Sequence, residues 1–407
     1  MSSSPRLGQR PASNDDWLIV RGYARSLGIP DNMIDPSQGF ALLVNRSQPY
    51  TGNYTSQGPS IIAVMAIAIA LVILTTGTRL CLRAFRKSLN VGYDDLVIIP
   101  AAIGAMGWFG MMIAMAAVGG VGKHIDDITY SELNNFYWFA RLSQIAFWTT
   151  ASLIKISITL FNSRLTSLTS SQWIDAHNAF LVLIIGFIVA SLLTSLLHCT
   201  PIAVQYSLVD LGSLSKAPQC ITSNLLSSTL DILHSIFSFA LLYLSTVFLS
   251  QMKMSTSTKL RLGCLFSIGM ISCIGSVVRQ IFTHQENVDI TRLYTHQMAW
   301  STVDIFFAIT AASLPILNAL LPTSWRGWLQ STPAGLSIFN VHEGTDPTAF
   351  TNEKPFQGPQ NSANAIMLVA ELDKDSFTRR TERLWDKAFE NSSHSLDIGG
   401  VCRTEHL

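Results

Sequence analysis

Charged residues are scarce in this sequence: they make up 13% of its 407 residues, against about 25% in an ordinary globular chain. It contains no basic block, so nothing indicates a nucleic-acid partner. The six cysteines are scattered and include no Cys-x-x-Cys pair, which argues against a disulfide scaffold and against a structural zinc site. The charges fall in the tails and between long apolar runs, a distribution typical of a protein that crosses the membrane several times.

Seven apolar runs are each close to the roughly 20 residues that a membrane-spanning helix needs. None shows the strict alternation of a barrel strand. The sequence therefore predicts an all-α fold, a bundle of seven transmembrane helices surrounded by membrane lipid. The runs cover residues 61–80, 96–118, 136–161, 180–197, 225–249, 260–282 and 300–321.

Lysine and arginine are concentrated on one side of the predicted helices, and the positive-inside rule makes that side cytosolic. The amino terminus is then outside, where Asn45 and Asn53 open glycosylation motifs. We expect a polar extracellular segment over 1–59, the helix bundle over 60–322 and a largely disordered cytosolic tail over 323–407. The plasma membrane is the expected location, and the tail offers a surface for a cytosolic signalling partner. The basic residues are Arg79, Arg83, Arg86, Lys87, Lys253, Lys259 and Arg261.

Polar side chains from five of the helices fall at similar depth in the outer half of the predicted bundle. Asp231 and His234 share one face of their helix because they are three residues apart. One interpretation is an outward-facing pocket for a small extracellular ligand; the other is an ion-pair network that only ties helices together. Two acids against one arginine would favour a cationic or hydrogen-bond-donating ligand. The candidate pocket residues are Tyr137, Arg141, Gln144, His198, Asp231, His234, Arg279 and Asp304.

Lys155 is the one lysine inside an apolar run, near the cytosolic end of the third. A charge in the bilayer usually has a partner, so we expect a structural ion pair between Lys155 and Asp94 or Asp95, which begin the second helix on the same side. A retinal Schiff base would need a lysine in the last helix, and 300–321 contains none. No cofactor is therefore expected.

Cys199 and Cys220 bracket one predicted outer loop. The other four cysteines lie in helices, at the inner face or in the cytosolic tail. Because the exterior is oxidising, a disulfide between Cys199 and Cys220 is favoured over two free thiols.

Several motifs occur in an order that resembles the fungal rhodopsin-domain family, which includes the Pth-type receptor-like proteins. The resemblance covers about 60–322 and implies a seven-helix, receptor-like protein. Leu96 stands where the family usually has tryptophan, and the amino-terminal cysteine-rich module of some members is absent because no cysteine precedes Cys81. The matching residues are Gly92-Tyr93-Asp94-Asp95, Gly120-Val121-Gly122-Lys123-His124, Lys155-Ile156-Ser157-Ile158, Arg164, Cys199-Thr200-Pro201, Cys220, Asn224, Asp231, Asp304 and Pro315.

Three functional classes follow from these features. A receptor-like or sensory protein is the leading hypothesis. A transporter or channel is the alternative, although the inverted repeat and paired helix breaks typical of transporters are not seen. The third is an intramembrane enzyme, such as a metal-dependent hydrolase; we do not expect it, because Asp231-x-x-His234 alone has convincing ligand spacing.

Overall fold

The computed structural model describes residues 4–7, 9–34, 56–85, 92–166, 171–197, 199–216, 218–220, 223–251, 256–283 and 290–317. All of these except residues 83–85 belong to one compact unit. Three short 3-10 helices lie at Asp31–Met33, Ile125–Asp127 and Ile202–Gln205. The α-helices and strands are α1 (Asn14–Ser26), α2 (Gly58–Phe85), α3 (Tyr93–Val118), α4 (Tyr130–Thr166), α5 (Ser171–Leu196), β1 (Cys199–Thr200), α6 (Leu208–Ser213), β2 (Gln219–Cys220), α7 (Ser223–Gln251), α8 (Thr256–Thr283) and α9 (Ile290–Leu317).

Over its described residues, each of the seven apolar runs coincides with a long helix. Six of these helices, α2, α3, α4, α5, α7 and α8, are long and apolar enough to cross a membrane. Helix α9 is not among these six over its described residues. The prediction of a helical membrane protein is thus confirmed. A membrane crossing by α9 and the orientation of the two termini stay predictions.

Helix α4 occupies the middle of the bundle. It packs against α1, α3, α5, α6, α7 and α9. Of its apolar 18-residue segment 56% is buried, against 22% for the corresponding segment of α5. Gly104 allows α3 to approach closely, since a Cβ atom there would lie 2.5 Å from the Thr150 hydroxyl. Side chains on α4 can therefore meet partners from most of the other helices.

Large apolar side chains cover the outward faces of the surrounding helices. Examples are Leu74 on α2, 63% exposed, Val182 on α5, 68% exposed, and Tyr243 on α7, 68% exposed. Such a surface would be unfavourable in water but suits contact with lipid chains.

A cap covers the end of the bundle at which α4 begins. We use "the cap" for α1, the turn at Asp31–Met33, α6 and the β1–β2 ribbon. Helix α1 begins at a capping box, in which the Ser13 side chain accepts from the Asp16 amide and Asp16 accepts from the Ser13 amide. It crosses α6 so closely that a Cβ atom on Gly22 would lie 2.1 Å from the Leu208 carbonyl oxygen. Only glycine permits that crossing.

Two arginines on α1 tie the cap together. Arg21 and Arg25 donate to the carbonyl oxygens of Gly212 and Leu211 in α6, at 3.1 and 3.0 Å. Both also contact the Asp31 carboxylate, at 2.7 and 2.6 Å. Hydrogen bonds from Arg25 and then from Arg21 hold the pKa of Asp31 well below its ordinary value.

The predicted disulfide is confirmed. Strands β1 and β2 pair antiparallel with Cys199 opposite Cys220, and the two Cα atoms are 4.2 Å apart across the bond. The bridge closes the loop that contains α6, and so it fixes the part of the cap on which α1 lies.

Candidate functional site

Five ionisable side chains from four helices meet in the interior of the bundle. Asp231 and His234 come from one face of α7, Arg279 from α8, Asp304 from α9 and Lys155 from α4. None is more than 7% exposed. We refer to these five residues as the buried cluster. Their depth explains why each must have a partner, since an isolated charge at this position would be strongly unfavourable.

The first half of the cluster is an ion pair between α7 and α8. The Arg279 guanidinium donates to the Asp231 carboxylate at 2.6 Å. The guanidinium also lies over the rings of Phe147 and Trp148 in α4, with its Cζ atom 4.3 and 5.2 Å from the ring centroids. The prediction that Arg279 is paired with an acid is confirmed, and the aromatic pair adds a cation–π contact to it.

The second half is a chain of hydrogen bonds through His234. Its Nε2 atom lies 2.9 Å from Asp304 Oδ2, and the Lys155 ammonium lies 3.2 Å from its Nδ1 atom. Asp304 also accepts from the Ser272 hydroxyl of α8 at 2.6 Å. The ammonium also lies 3.5 Å from Nε2, so the tautomer is assigned from the chemistry of the partners and not from the distances. Because Lys155 can only donate and Asp304 accepts, we assign a neutral imidazole with the proton on Nε2.

The same two aromatic rings join the halves of the cluster. The His234 ring packs against Phe147 and Trp148, with centroid separations of 5.4 and 5.6 Å. Arg279 and His234 therefore lie around one aromatic pair, and movement of either helix would disturb both halves.

The charges of the cluster balance. Lys155 and Arg279 supply two positive charges, Asp231 and Asp304 supply two negative ones, and His234 is neutral by its hydrogen bonds. The charge count behind the expected ligand preference is therefore corrected, because it set two acids against Arg279 alone and left Lys155 out. The preference itself stays a prediction.

The predicted ion pair of Lys155 with Asp94 or Asp95 is also wrong. Ser157, two residues along α4, donates to the Asp94 backbone carbonyl at 2.9 Å. Two residues turn an α-helix by about 200°, so Lys155 points away from α3. Its long side chain also leans towards the amino-terminal end of α4, which takes the ammonium to His234.

Arginines occupy the place predicted for Lys155. The Arg79 guanidinium of α2, fully buried, donates to Asp94 at 2.7 Å and to Asp95 at 2.9 Å. It also donates to the Ala312 carbonyl of α9. Arg164 lies 3.6 Å from Asp94. The predicted structural role of the two acids stands, with Arg79 as the residue that joins three helices.

The other predicted pocket residues lie nearer the cap. Tyr137, Arg141 and Gln144 are half-buried along α4, and the Arg141 guanidinium lies 5.4 Å from the centre of the Tyr137 ring. His198 lies outside the described residues, as do the glycosylation motifs at Asn45 and Asn53 and the tail at 323–407. An outward-facing pocket built from the whole predicted set stays a prediction.

A cavity of about 110 Å³ adjoins the cluster on the side away from the cap. It lies between α4, α7, α8 and α9, and it runs from Lys155 to Asn162 along α4. Its wall is mostly apolar, and Gly269, Ala308 and Ala311 leave the space open.

Metal binding receives no support from the described part of the chain, which contains no group of three or more His, Cys, Asp or Glu side chains placed to hold an ion. His234 is hydrogen-bonded to Asp304, and Arg279 occupies Asp231. The Asp231-x-x-His234 pair therefore has its side chains committed to other partners.

A helical bundle with paired charges in its interior can be compared with known families. The family model described as the fungal rhodopsin domain matches residues 78–323, more than half of the chain. The chain belongs to the fungal rhodopsin domain family. No curated protein and no solved structure matches it.

The fungal rhodopsin domain contains the whole buried cluster, the Arg79 ion pairs and the disulfide, whereas α1 precedes it. Within this domain α9 carries no lysine, and the lysine of the cluster comes from α4. That retinal is not bound through a Schiff base on the last helix stays a prediction.

Sequence reasoning missed three members of the site: Ser272, Phe147 and Trp148. Ser272 and Arg279 are about two turns apart on α8, which places both on one face, and that spacing could have found Ser272. Trp148 is 1% exposed, and its ring packs against that of His234.

Proposed function

We propose that this fungal rhodopsin-domain protein is a receptor-like protein of the plasma membrane. In this proposal seven helices cross the bilayer, the amino terminus and the cap are outside, and the carboxyl-terminal tail contacts a cytosolic signalling partner. The observation that carries the proposal is the pair of links from α8: Arg279 to Asp231 on α7 and Ser272 to Asp304 on α9.

These links give α8 a defined position that a ligand could change. Each charge placed in a membrane without a partner is unfavourable by about 2.5–3.5 kcal/mol, so α8 cannot leave its neighbours until new partners are supplied. A molecule that competes for one member of the cluster supplies such partners. Occupancy would then shift α8 relative to α7 and α9, which is the kind of helix movement that a cytosolic partner can detect.

The orientation can be tested through the two amino-terminal glycosylation motifs. Endoglycosidase should increase the gel mobility of the expressed protein, and Asn45→Gln combined with Asn53→Gln should abolish that change. A carboxyl-terminal epitope tag should be reached by antibody only after the cells are permeabilised. Antibody binding to intact cells would contradict the proposed topology.

Receptor, transporter and enzyme predict different results for purified protein in nanodiscs. A receptor ligand should raise the melting temperature, since a ligand at a hundred times its dissociation constant adds about 2.7 kcal/mol. A transporter should also move that ligand across the membrane of proteoliposomes, and a hydrolase should cleave it. Saturable stabilisation without flux or turnover supports the receptor, and either of the latter activities contradicts it.

A further inference from the structure

The cavity beside the buried cluster has a polar group at each end and apolar walls between them. At the cluster end is Lys155, and about two turns along α4 is Asn162, whose amide donates to the Ser245 hydroxyl at 2.6 Å. Side chains such as Ile158 and Leu241 form the wall between them. This geometry suits a molecule that is apolar along most of its length.

Lys155 has unused hydrogen-bonding capacity at the cavity. An ammonium group carries three N–H donors. Within the described residues the one hydrogen-bond partner of Lys155 Nζ is the His234 ring, and Nε2 of that ring is already committed to Asp304. Two donors therefore lack a described acceptor, on a side chain that is only 7% exposed and forms part of the cavity wall. Buried donors of this kind normally find an acceptor.

The balance of charge decides which acceptor fits. The cluster is neutral as it stands, with two cations, two carboxylates and an uncharged imidazole. A bound carboxylate would leave one negative charge uncompensated in a medium of low dielectric constant, and a bound cation would face the Lys155 ammonium. An uncharged oxygen acceptor satisfies the donors and leaves the balance unchanged.

The size of the cavity limits the molecule. An engineered apolar cavity of about 150 Å³ binds benzene. The present cavity of about 110 Å³ is of the same order, so it has room for a molecule of about one small ring. We propose that the cavity between α4, α7, α8 and α9 binds a small, uncharged, mainly apolar molecule whose single carbonyl-type oxygen accepts from Lys155. Binding itself does not depend on the proposed receptor function. Only the consequence of binding, a shift of α8, rests on that function.

Cyclohexanone and methylenecyclohexane form a matched pair of probes, because they differ only by C=O against C=CH₂. Binding to the full-length protein in nanodiscs can be followed by saturation-transfer difference NMR. The wild-type protein should bind cyclohexanone about tenfold more tightly than methylenecyclohexane, as expected for one hydrogen bond from a charged donor. Cyclohexanecarboxylate should bind more weakly than cyclohexanone.

Two variants distinguish binding of the probes in the cavity from their partition into the lipid of the nanodisc. Ala311→Leu fills the cavity without touching the cluster, and it should abolish saturable binding of both probes. Lys155→Met with Asp304→Asn keeps the cluster neutral, and it should remove the preference for cyclohexanone while leaving methylenecyclohexane binding unchanged.

Four outcomes would overturn the assignment: equal affinity of the two probes for wild type, tighter binding of the carboxylate, binding that survives Ala311→Leu, or absence of any saturable binding. The topology tests above do not depend on these probes, so failure of this assignment and failure of the proposed function can be told apart.

Discussion

Asp231→Asn removes the negative charge that faces Arg279 across 2.6 Å. Both side chains are at most 5% exposed, so the guanidinium would stay buried without its counter-charge. Removing one partner of a buried pair destabilises a protein by about 3–5 kcal/mol. For a domain of this size the melting temperature should fall by on the order of 10 °C. The contact of Arg279 with Phe147 is present before and after the change, so it does not alter the sign.

Cys273 provides a convenient reporter for this prediction, since its thiol is free and buried next to the cavity. In a background with Cys81, Cys264 and Cys402 replaced by serine, a fluorogenic maleimide added during heating should react at Cys273 as the bundle opens. Asp175→Asn, at an exposed carboxylate of α5, is the matched control and should leave the melting temperature unchanged. Combining Asp231→Asn with Arg279→Met should recover at least half of the loss, because replacing both members of a buried pair is often nearly neutral. Equal losses in Asp231→Asn and Asp175→Asn, or additive losses in the double variant, would refute the reasoning.

Three further predictions concern the ends of the bundle. Replacing Cys199 and Cys220 with serine should lower the free energy of unfolding by about 3 kcal/mol, because the bond constrains a loop with a sequence separation of 21 residues. Dithiothreitol should destabilise the wild type but not the double variant. An equal response of the two proteins would contradict this. Asp31, whose folded-state pKa is lowered by Arg25 and Arg21, contributes stability that is present at neutral pH and is lost as the pH falls below about 4. Amide exchange in α1, corrected for intrinsic rates, should therefore accelerate on acidification more in the wild type than in Asp31→Asn, and equal acceleration in the two would contradict this. Asp95→Asn weakens the hold of Arg79 while leaving Asp94 in place, so it should destabilise the protein by only about 2 kcal/mol; a loss no larger than that of Asp175→Asn would argue against the Arg79 ion pairs.

Much of the bundle could be predicted from the sequence because the membrane imposes length and polarity directly. An apolar run long enough to span lipid has to satisfy its backbone internally, and so all seven runs are helices. The pairing of Arg279 followed from depth alone, since a buried arginine needs an acid and Asp231 lies at the same level. The disulfide could be predicted because Cys199 and Cys220 bracket a loop on the predicted outer side, where the environment is oxidising.

What depth cannot supply is the rotation of each helix about its axis. Lys155 lies at a level from which Asp94 and His234 are both within range of a long side chain, and only the rotation of α4 decides between them. Nor does hydropathy reveal the cap, whose helix α1 is polar overall. The capping box at Ser13 and Asp16 is a local signal for that helix, and it was present in the sequence.

We infer that the buried cluster fixes the position of α8. That position can be measured by pulsed electron paramagnetic resonance between nitroxide labels on cysteines introduced at Ser267 on α8 and Ile185 on α5, both exposed, in a variant without other reactive thiols. The wild type should give one narrow distance distribution. Asp231→Asn, Arg279→Met and Ser272→Ala together remove both α8 links without leaving a buried charge unpaired, and a shifted or clearly broadened distribution is expected. A distribution identical to that of the wild type would show that α8 is held by apolar packing alone, and it would contradict this inference.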